Sequence, residues 1–507
     1  MISASLHPGP ISAVCERRCR FAFGLTIRTM GLLVLGFTLL IPGFWDGRLA
    51  YAMLAWDLLV LAAAWLDGLR LPGAAQLSAS RSWSNAPALD SETEIELTVE
   101  NQSHMIVECR LVDDLPSALT VSVAQPPTHK LTAFPRVPAS LRYRIQPQER
   151  GDWDTGCLYV RYRSPLGLCD RWARAPLTQT VRVYPALRTG EEQQILLARS
   201  RQIDLQLRQA RQRGLGRDFE SLRDYRQGDD LRDICWTATA RRGAPITRQY
   251  QIERSQAVWI VLDCGRLMRA RVSPQGKQPA DGDPGAKAHR LFGDQMRGLK
   301  PPPPTESKSL ASGFASAPTP HSKLDYACTT AVALAQLALY SGDRVGLLAY
   351  GQGMQQRLLP GRGASHMRQL IEALAQVKAE SAEADHLRAS ATLNRLQPRR
   401  SLVLWITDLA ETAMRPEVID GAMHLLRRHV LLFVAMAQPE VESIAQARPK
   451  DVEQMFLAAA AQEMAGRREL LLARLHEQGA LTLDLNPEAL TSAVLNQYLT
   501  VKERAMV

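Results

Sequence analysis

Two apolar runs close to the N-terminus limit what this chain of 507 residues can become. Residues 29–45 carry no charge, residues 49–66 carry only Asp57, and a three-residue polar turn separates them. Each run has about the length that a helix needs to cross a bilayer. We therefore predict a transmembrane helical hairpin over residues 29–66, which makes the lipid bilayer a partner of the chain.

Two alternatives to this hairpin stay open. A secretory signal peptide is disfavoured, because no small-residue cleavage site separates the runs and a second apolar run follows at once. A carboxylate is costly in lipid. Asp57 therefore either faces the other helix or marks a second helix that lies partly in the membrane interface.

Basic residues on both flanks of the runs predict the orientation. Those before the first run are Arg17, Arg18, Arg20 and Arg28, those after the second are Arg70 and Arg81, and the turn has only Arg48. The positive-inside rule then places both termini in the cytoplasm, with residues 1–28 as a basic cytoplasmic tail and two membrane spans. Eight scattered cysteines without a Cys-x-x-Cys pair fit unpaired cytosolic thiols.

The hydropathy pattern changes after the second run. Residues 76–184 contain short segments in which apolar and polar residues alternate, as in Glu94–Glu100 and Thr180–Tyr184. A period of two is typical of strands with one buried face. We predict an antiparallel β-sandwich for this region.

Continuous apolar runs such as Ala257–Leu262 and Leu402–Ile406 alternate with helical patterns in the last half of the chain. Such runs indicate parallel strands covered on both faces, so we predict a doubly wound α/β domain over residues 257–507. Residues 270–322 are rich in Gly, Pro, Ser and Lys and are predicted to form a flexible insertion. The chain is thus expected to be multidomain.

The charge-dense segment Gly214–Arg254 carries a long spaced motif. It reads Gly-Arg-Asp-Phe-Glu-Ser-Leu-Arg-Asp-Tyr from Gly216, then Gly-Asp-Asp-Leu-Arg-Asp-Ile-Cys-Trp from Gly228, then Ala240-Arg241. It resembles the signature of the bacterial "domain of unknown function 58" family. Further segments that match this family are Arg150-Gly151, Ser164–Leu168, Lys323–Tyr326, Gly342–Leu347, Arg362–His366 and Asn496–Leu499.

The resemblance implies more than the residue pattern does. The last domain is expected to be von Willebrand factor A-like, with residues 191–256 packing on it as the family signature segment. Members are commonly paired with MoxR-type AAA+ ATPases in protein assembly or envelope maintenance. The resemblance also implies the bacterial inner membrane as the location.

Von Willebrand factor A domains hold a hard divalent cation at the carboxyl ends of the strands, where open parallel sheets bind ligands. Asp263 and Asp408 end the corresponding strands here, but Gly265 and Leu267 stand at the two serine positions of that motif. Ser365 is a candidate replacement for the threonine ligand. We therefore expect a degenerate site and no cofactor, with magnesium as the one cation to test.

The sequence leaves three functions to consider. The first is a non-catalytic adaptor, because the sequence contains no Walker-type phosphate loop, His-Glu-x-x-His or Gly-x-Ser-x-Gly motif. The second is a stand-alone, metal-dependent protein-binding module. The third, disfavoured, is a hydrolase that uses Cys264, His366 and Asp408, which are expected to share one edge of the sheet.

The signature segment is predicted to dock a partner, to pack as a strap through its ion pairs and aromatic side chains, or to do both. Interspersed acids disfavour nucleic acid, and client proteins are further candidate partners. The predicted interaction residues are Gly216, Phe219, Arg223, Tyr225, Gly228, Asp229, Asp230, Arg232, Trp236 and Arg241.

Overall fold

The computed structural model describes residues 8–17, 23–38, 47–119, 129–186, 218–226, 231, 234–251, 256–272, 321–409 and 417–504. Its architecture is multidomain and mixed α/β, with several separate sheets. The predicted multidomain, mixed organisation is therefore confirmed at this level.

The N-terminal half is built from antiparallel strands. They are β1 (Ile11–Val14), β2 (Glu16–Arg17), β3 (Phe23–Leu25), β4 (Leu77–Trp83), β5 (Thr93–Asn101), β6 (Val107–Asp113), β7 (His129–Ala133), β8 (Ala139–Ile145), β9 (Gly151–Thr155), β10 (Leu158–Arg163), β11 (Cys169–Ala175) and β12 (Gln179–Val183). One sheet has the order β1-β4-β5-β8 and the other β2-β11-β10-β6-β7, with β3 also on β11 and a separate β9–β12 pair. Alternate residues of both sheets meet in one core, which includes Leu97 and Val160.

Within the first 28 residues, predicted to be a tail, the described residues 8–17 and 23–28 include three short strands. Strand β1 pairs with β4, from Ile11 opposite Arg81 to Val14 opposite Ser78, and β2 and β3 both pair with β11. Cys15 is buried in the shared core. These strands are two to four residues long, too short for a periodic pattern to stand out in the sequence, yet they cover edges that would otherwise stay unpaired.

Two apolar helices follow strands β1 to β3 in the chain and precede the other strands of the two sheets. Helix α1 spans Ile27–Phe37 and α2 spans Gly47–Arg70. Among the residues described, one helical segment, Tyr51–Gln76, is long and apolar enough to cross a membrane, and α1 is a shorter apolar helix. The indole Nε1 of Trp56 donates to the Leu32 carbonyl at 3.0 Å, so the two helices pack together.

A loop of the β domain forms hydrogen bonds with the start of α1 and the end of α2. The Thr26 hydroxyl donates to the Gly167 carbonyl at 2.6 Å, and the Thr29 hydroxyl donates to the Leu168 carbonyl at 2.5 Å. At the end of α2 the buried carboxylate of Asp67 accepts from the Ser164 hydroxyl at 2.5 Å. The segment Ser164–Leu168 thus fixes the helix pair to the sheets.

The described residues of the signature segment form two paired strands and a short helix. Strand β13 (Asp218–Asp224) pairs antiparallel with β14 (Ile246–Gln251), and helix α3 (Trp236–Arg242) lies between them in the chain. Gly243 ends α3 in a left-handed conformation, which glycine adopts without steric penalty.

The C-terminal domain is an open α/β sheet. Its strands are β15 (Ala257–Asp263), β16 (Arg271–Val272), β17 (His321–Ser322), β18 (Arg344–Tyr350), β19 (Met354–Gly361), β20 (Leu402–Thr407), β21 (Val430–Met436) and β22 (Leu481–Leu485). Its helices are α4 (Lys323–Tyr340), α5 (Gly363–Gln376), α6 (His386–Leu396), α7 (Glu417–Leu426), α8 (Pro439–Gln446), α9 (Val452–Glu477) and α10 (Leu490–Glu503). The main sheet has the order β19-β18-β15-β20-β21-β22, and only β19 runs antiparallel to its neighbour.

Both faces of this sheet are covered. Every residue of β15, β20 and β21 is buried, which explains their continuous apolar sequences. Strands β16 and β17 pair with each other at the two ends of the predicted insertion. The ends of residues 270–322 are therefore ordered parts of the domain, and residues 273–320 lie outside the described residues.

Ionic contacts join the β domain to the α/β domain. The Arg150 guanidinium donates to the Asp325 carboxylate at 2.6 Å and to the Leu374 carbonyl at 2.7 Å. His321 Nε2 lies 2.6 Å from the carboxylate of Asp90. Side chains of both domains also share a core, since Tyr184 packs into the α/β cluster.

Candidate functional site at the sheet rim

Two aspartates lie side by side where the central strands of the C-terminal sheet end. Asp263 is the last residue of β15, and Asp408 follows β20, its parallel neighbour. Asp263 accepts a hydrogen bond from the Gly265 amide at 2.7 Å and one from the Thr407 hydroxyl at 2.6 Å. We call this carboxyl end of the sheet, with Asp263, Thr407, Asp408 and their partners, the rim.

Asp408 is fully buried and paired with cations of the protein. The Lys323 ammonium lies 2.5 Å from its Oδ2, and both side chains are nearly inaccessible to solvent. The Gln438 amide donates to both carboxylate oxygens at 3.3 and 3.2 Å, and the Arg468 guanidinium lies 3.5 Å from Oδ1. A buried carboxylate requires such partners.

The electrostatics of Asp263 differ from those of Asp408. Burial raises the pKa of Asp263 and the neighbouring Asp408 charge adds to this, whereas His386 and the hydrogen bonds from Thr407 and Gly265 act in the opposite direction. Burial also lowers the pKa of His386. Its Nδ1 lies 2.9 Å from the Tyr350 hydroxyl. Asp263 thus accepts its hydrogen bonds from neutral donors, whereas Asp408 is paired with cations.

The residues at the rim do not fit a divalent cation. Both oxygens of Asp263 and both of Asp408 already have partners. Gly265 contributes only its amide, and Leu267 has no oxygen in its side chain. Among the described residues, no group of three His, Cys, Asp or Glu side chains could hold a metal.

The assignment of Ser365 as a replacement ligand is wrong. Ser365 follows strand β19, which is antiparallel, and Gly361 at the end of β19 pairs with Val345 near the start of β18. Ser365 therefore lies at the amino end of the sheet. Val345 and Tyr350 are separated by five residues of strand, roughly 16 Å.

The antiparallel direction of strand β19 also separates the residues of the hydrolase hypothesis. His366 lies beside Ser365, and its Nε2 is 2.6 Å from the Val345 carbonyl oxygen. Cys264 is completely buried next to the rim, and burial, followed by Cys328 and Asp263, raises its pKa well above the ordinary value. His366 and Cys264 do not share an edge of the sheet, so this constellation cannot act as a catalytic unit.

We expect Cys264 to resist alkylation. An inaccessible thiol with a raised pKa offers little of the reactive thiolate, so labelling of the native protein by iodoacetamide should be at least about 100-fold slower than labelling of the unfolded protein. Peptide mass spectrometry over time measures this, with the partly exposed Cys157 as the internal control. Labelling of Cys264 before Cys157 would contradict the assignment.

The signature segment exposes apolar side chains. Trp236 is 70% exposed and Leu231 67% exposed. Arg241 is also exposed, and Arg223 and Tyr225 lie in and next to β13 with partial exposure. This exposure of Trp236 favours the docking interpretation over the packed strap for this residue. Phe219 lies in β13, while Gly216, Gly228, Asp229, Asp230 and Arg232 lie outside the described residues.

The ion-pair partners of Asp408 cannot be found from the sequence pattern. Lys323 is 85 residues away from Asp408 and Arg468 is 60 residues away, so no local spacing connects them. In the sequence, Lys323 stands out only as part of a family-like segment. The position of a lysine in the first turn of a predicted helix, where acids are favoured, is the only additional hint.

A cavity of about 560 Å³ opens beside the rim. It lies between helices α8 and α9 and strand β22, with Val441, Met464 and Leu472 as apolar lining. Arg468 faces this cavity and donates to Asp484 at 2.6 Å. The side chain of Arg468 is 12% exposed, compared with 3% for that of Lys323, so Arg468 is the more accessible of the two cations at the rim.

Comparisons with known proteins connect part of the chain with one family. The family described as "Protein of unknown function DUF58" matches residues 221–279 and 307–455. No curated protein matches the chain. Solved structures with local similarity include the conserved hypothetical protein BatB from Bacteroides thetaiotaomicron, at 13% identity over 49% of this chain and all of that chain, with a TM-score of 0.26. Another is a β-glucosidase from Listeria innocua, at 15% identity over 21% of this chain and 16% of that chain, with a TM-score of 0.11.

The chain thus joins an antiparallel β domain and two apolar helices to an open α/β domain whose rim is closed by internal ion pairs. The region that contains much of the signature segment and most of the α/β domain, residues 221–279 and 307–455, matches the model of the DUF58 family. The predicted family is thereby confirmed.

Proposed function

We propose that this protein is a membrane-anchored, non-catalytic adaptor that works with a MoxR-type AAA+ ATPase in protein assembly or envelope maintenance. The observation that carries the proposal is the exposed surface of the signature segment. Leu222, Leu231 and Trp236 are 42%, 67% and 70% exposed in the described part of this segment. Large exposed aromatic residues are typical anchors of protein interfaces.

The charge around this surface suggests the chemistry of the partner. Arg241 and Arg242 end helix α3, and Arg226 follows strand β13, all exposed. An acidic patch with an apolar centre would complement them. The proposed contact is such a patch on the ATPase, which would also supply the nucleotide chemistry that this chain lacks in its sequence.

The connections of the helix pair support a hairpin anchor. Strands β1–β3, which precede α1, and strands β4 and β11, which follow α2, pair in the same sheets. The chain therefore enters and leaves the helix pair on the same side as the β domain. In our proposal this side is the cytoplasm, because of the flanking arginines, and both helices insert in the bacterial inner membrane.

The architecture of the last domain supports a von Willebrand factor A-like interaction module. The support is an open, mostly parallel sheet with helices on both faces and aspartates at the ends of β15 and β20. The Lys323–Asp408 pair argues against the alternative of a stand-alone, metal-dependent binding module. The buried Cys264 argues in the same way against a hydrolase.

Binding to a purified MoxR-type ATPase from the same organism tests the proposal. We expect the full chain in nanodiscs to bind the ATPase in the presence of a non-hydrolysable ATP analogue. Trp236→Ala should weaken binding at least about tenfold, the effect of losing an interface anchor. Biolayer interferometry provides the dissociation constants.

Leu359→Ala is the matched control, because Leu359 is 58% exposed on strand β19, which is not part of the signature segment. The affinity of the Leu359→Ala protein for the ATPase should equal that of the unaltered protein. If the unaltered protein does not bind the ATPase, the adaptor proposal is wrong. Equal binding by Trp236→Ala would place the contact elsewhere and remove the observation on which we rely.

A further inference from the structure

A lysine ammonium occupies the rim of the C-terminal sheet. Lys323 is the first residue of helix α4, and its Nζ lies 2.5 Å from Asp408 Oδ2. Lys323 is 2% exposed and Asp408 is fully buried. Their charges therefore face each other with little solvent screening.

The position of Lys323 in its helix is unfavourable for a cation. The N-terminus of a helix carries partial positive charge, which stabilises acids and opposes lysines. The same turn has an acid at its preferred place, since Asp325 and Ser322 form a capping box. The buried ammonium is therefore held by Asp408, and not by its own helix.

The remaining oxygens of the two aspartates are also engaged. Gln438 and Arg468 approach Asp408, while Gly265 and Thr407 donate to Asp263. A Mg²⁺ ion needs carboxylate oxygens at about 2.1 Å together with several waters. The ammonium fills the volume beside Asp408 Oδ2 that such an ion would need.

We propose that Lys323 is the resident cation of this rim, so that the α/β domain folds there without a divalent metal. Removing the ammonium should expose Asp408, with Asp263 on the neighbouring strand, and convert the rim into a divalent-cation site. This inference builds on the proposed interaction domain. It is tested on the isolated protein, so its failure is distinct from failure to bind an ATPase.

Thermal unfolding of the full chain in detergent, with Mg²⁺, Mn²⁺ or a chelator, provides the test. The unaltered protein should keep the same Tm under all three conditions. Lys323→Ala should unfold at a lower Tm, and free metal at about 100 times its Kd should raise that Tm by roughly 5 to 10 °C. Calorimetric titration of the same variant should show saturable binding.

Three further variants test whether the metal response is specific to the site beside Asp408. Lys502→Ala removes the ammonium of another buried pair, Lys502 with Asp343 at 3.2 Å, and should lose stability without responding to metal. Lys323→Met keeps most of the side-chain volume and should not bind metal. Adding Asp408→Asn to Lys323→Ala removes the proposed ligand and should abolish the metal response.

Two results would overturn the inference. One is a Tm of the unaltered protein that falls with the chelator or rises with metal, because the resident cation would then be a metal ion. The other is a folded Lys323→Ala protein that shows neither a Tm shift nor heat of binding. If Lys323→Ala does not fold, the responses of the unaltered protein and of Lys323→Met to metal and chelator still show whether the resident cation is a metal ion.

Discussion

Replacing Arg150 with alanine should lower the free energy of unfolding by about 3 to 5 kcal/mol, the usual effect of breaking a buried ion pair. The Arg150 side chain is 4% exposed and that of Asp325 is 12% exposed. Burial alone would raise the pKa of Asp325, but Arg150 and Ser322 outweigh burial and lower it. Without Arg150, the Asp325 carboxylate and the Leu374 carbonyl would each lose a donor.

Arg182→Ala is the control for this prediction. Arg182 also connects the two domains, through Glu372 at 3.4 Å, but its side chain is 28% exposed and its partner is 46% exposed. Solvent-exposed pairs contribute little, so the loss should stay below about 1 kcal/mol. Denaturant unfolding followed by tryptophan fluorescence measures both variants.

A double-mutant cycle separates the ion pair from other effects. If Arg150 and Asp325 act mainly on each other, Arg150→Ala combined with Asp325→Ala should destabilise much less than the sum of the single variants. Additive losses would mean that Arg150 acts through the Leu374 carbonyl or through packing instead. Equal stability of Arg150→Ala and the unaltered protein would contradict the described interface.

Asp408→Asn and Asp263→Asn should differ sharply, although both remove a carboxylate at the rim. Asp408→Asn leaves the buried Lys323 ammonium facing a neutral amide, and we expect a loss of about 3 to 5 kcal/mol. Asp263→Asn should stay within about 1 kcal/mol of the unaltered protein, because an amide can still accept from Gly265 and donate to the Thr407 hydroxyl.

The pH dependence of Asp263→Asn provides an independent check with a defined sign. The folded-state pKa of Asp263 lies above its unfolded value. Its contribution to stability is therefore fully present below the unfolded pKa and is lost as the pH rises through the folded pKa. Relative to the unaltered protein, Asp263→Asn should gain stability as the pH rises. A difference independent of pH would contradict a raised pKa.

Much of the C-terminal domain could be predicted because its central strands are buried on both faces. Continuous apolar runs located β15, β20 and β21, and their ends located Asp263 and Asp408. Strand β19 is different, since its exposed edge carries polar residues. Its antiparallel direction moves Ser365 and His366 to the opposite end of the sheet, which the sequence pattern does not reveal.

The remaining errors concern contacts between distant segments. Strands β1 to β3 are too short to show a period, and their partners lie far along the chain. Lys323 lies next to Asp408 because helix α4 begins near the end of strand β20. This arrangement is set by the topology of the domain and not by the spacing of residues in the sequence. The sequence therefore identified the acids of the rim but not the cation that neutralises one of them.

The N-terminal strands have a practical consequence for producing a soluble form. A shortened chain that starts at Leu71 would discard β1, β2 and β3 together with the helices. Strands β4 and β11 would then become bare edges, with unpaired backbone groups that favour association between molecules. A version that keeps residues 8–26 and replaces residues 27–70 with a flexible linker should stay monomeric, whereas the simple truncation should aggregate.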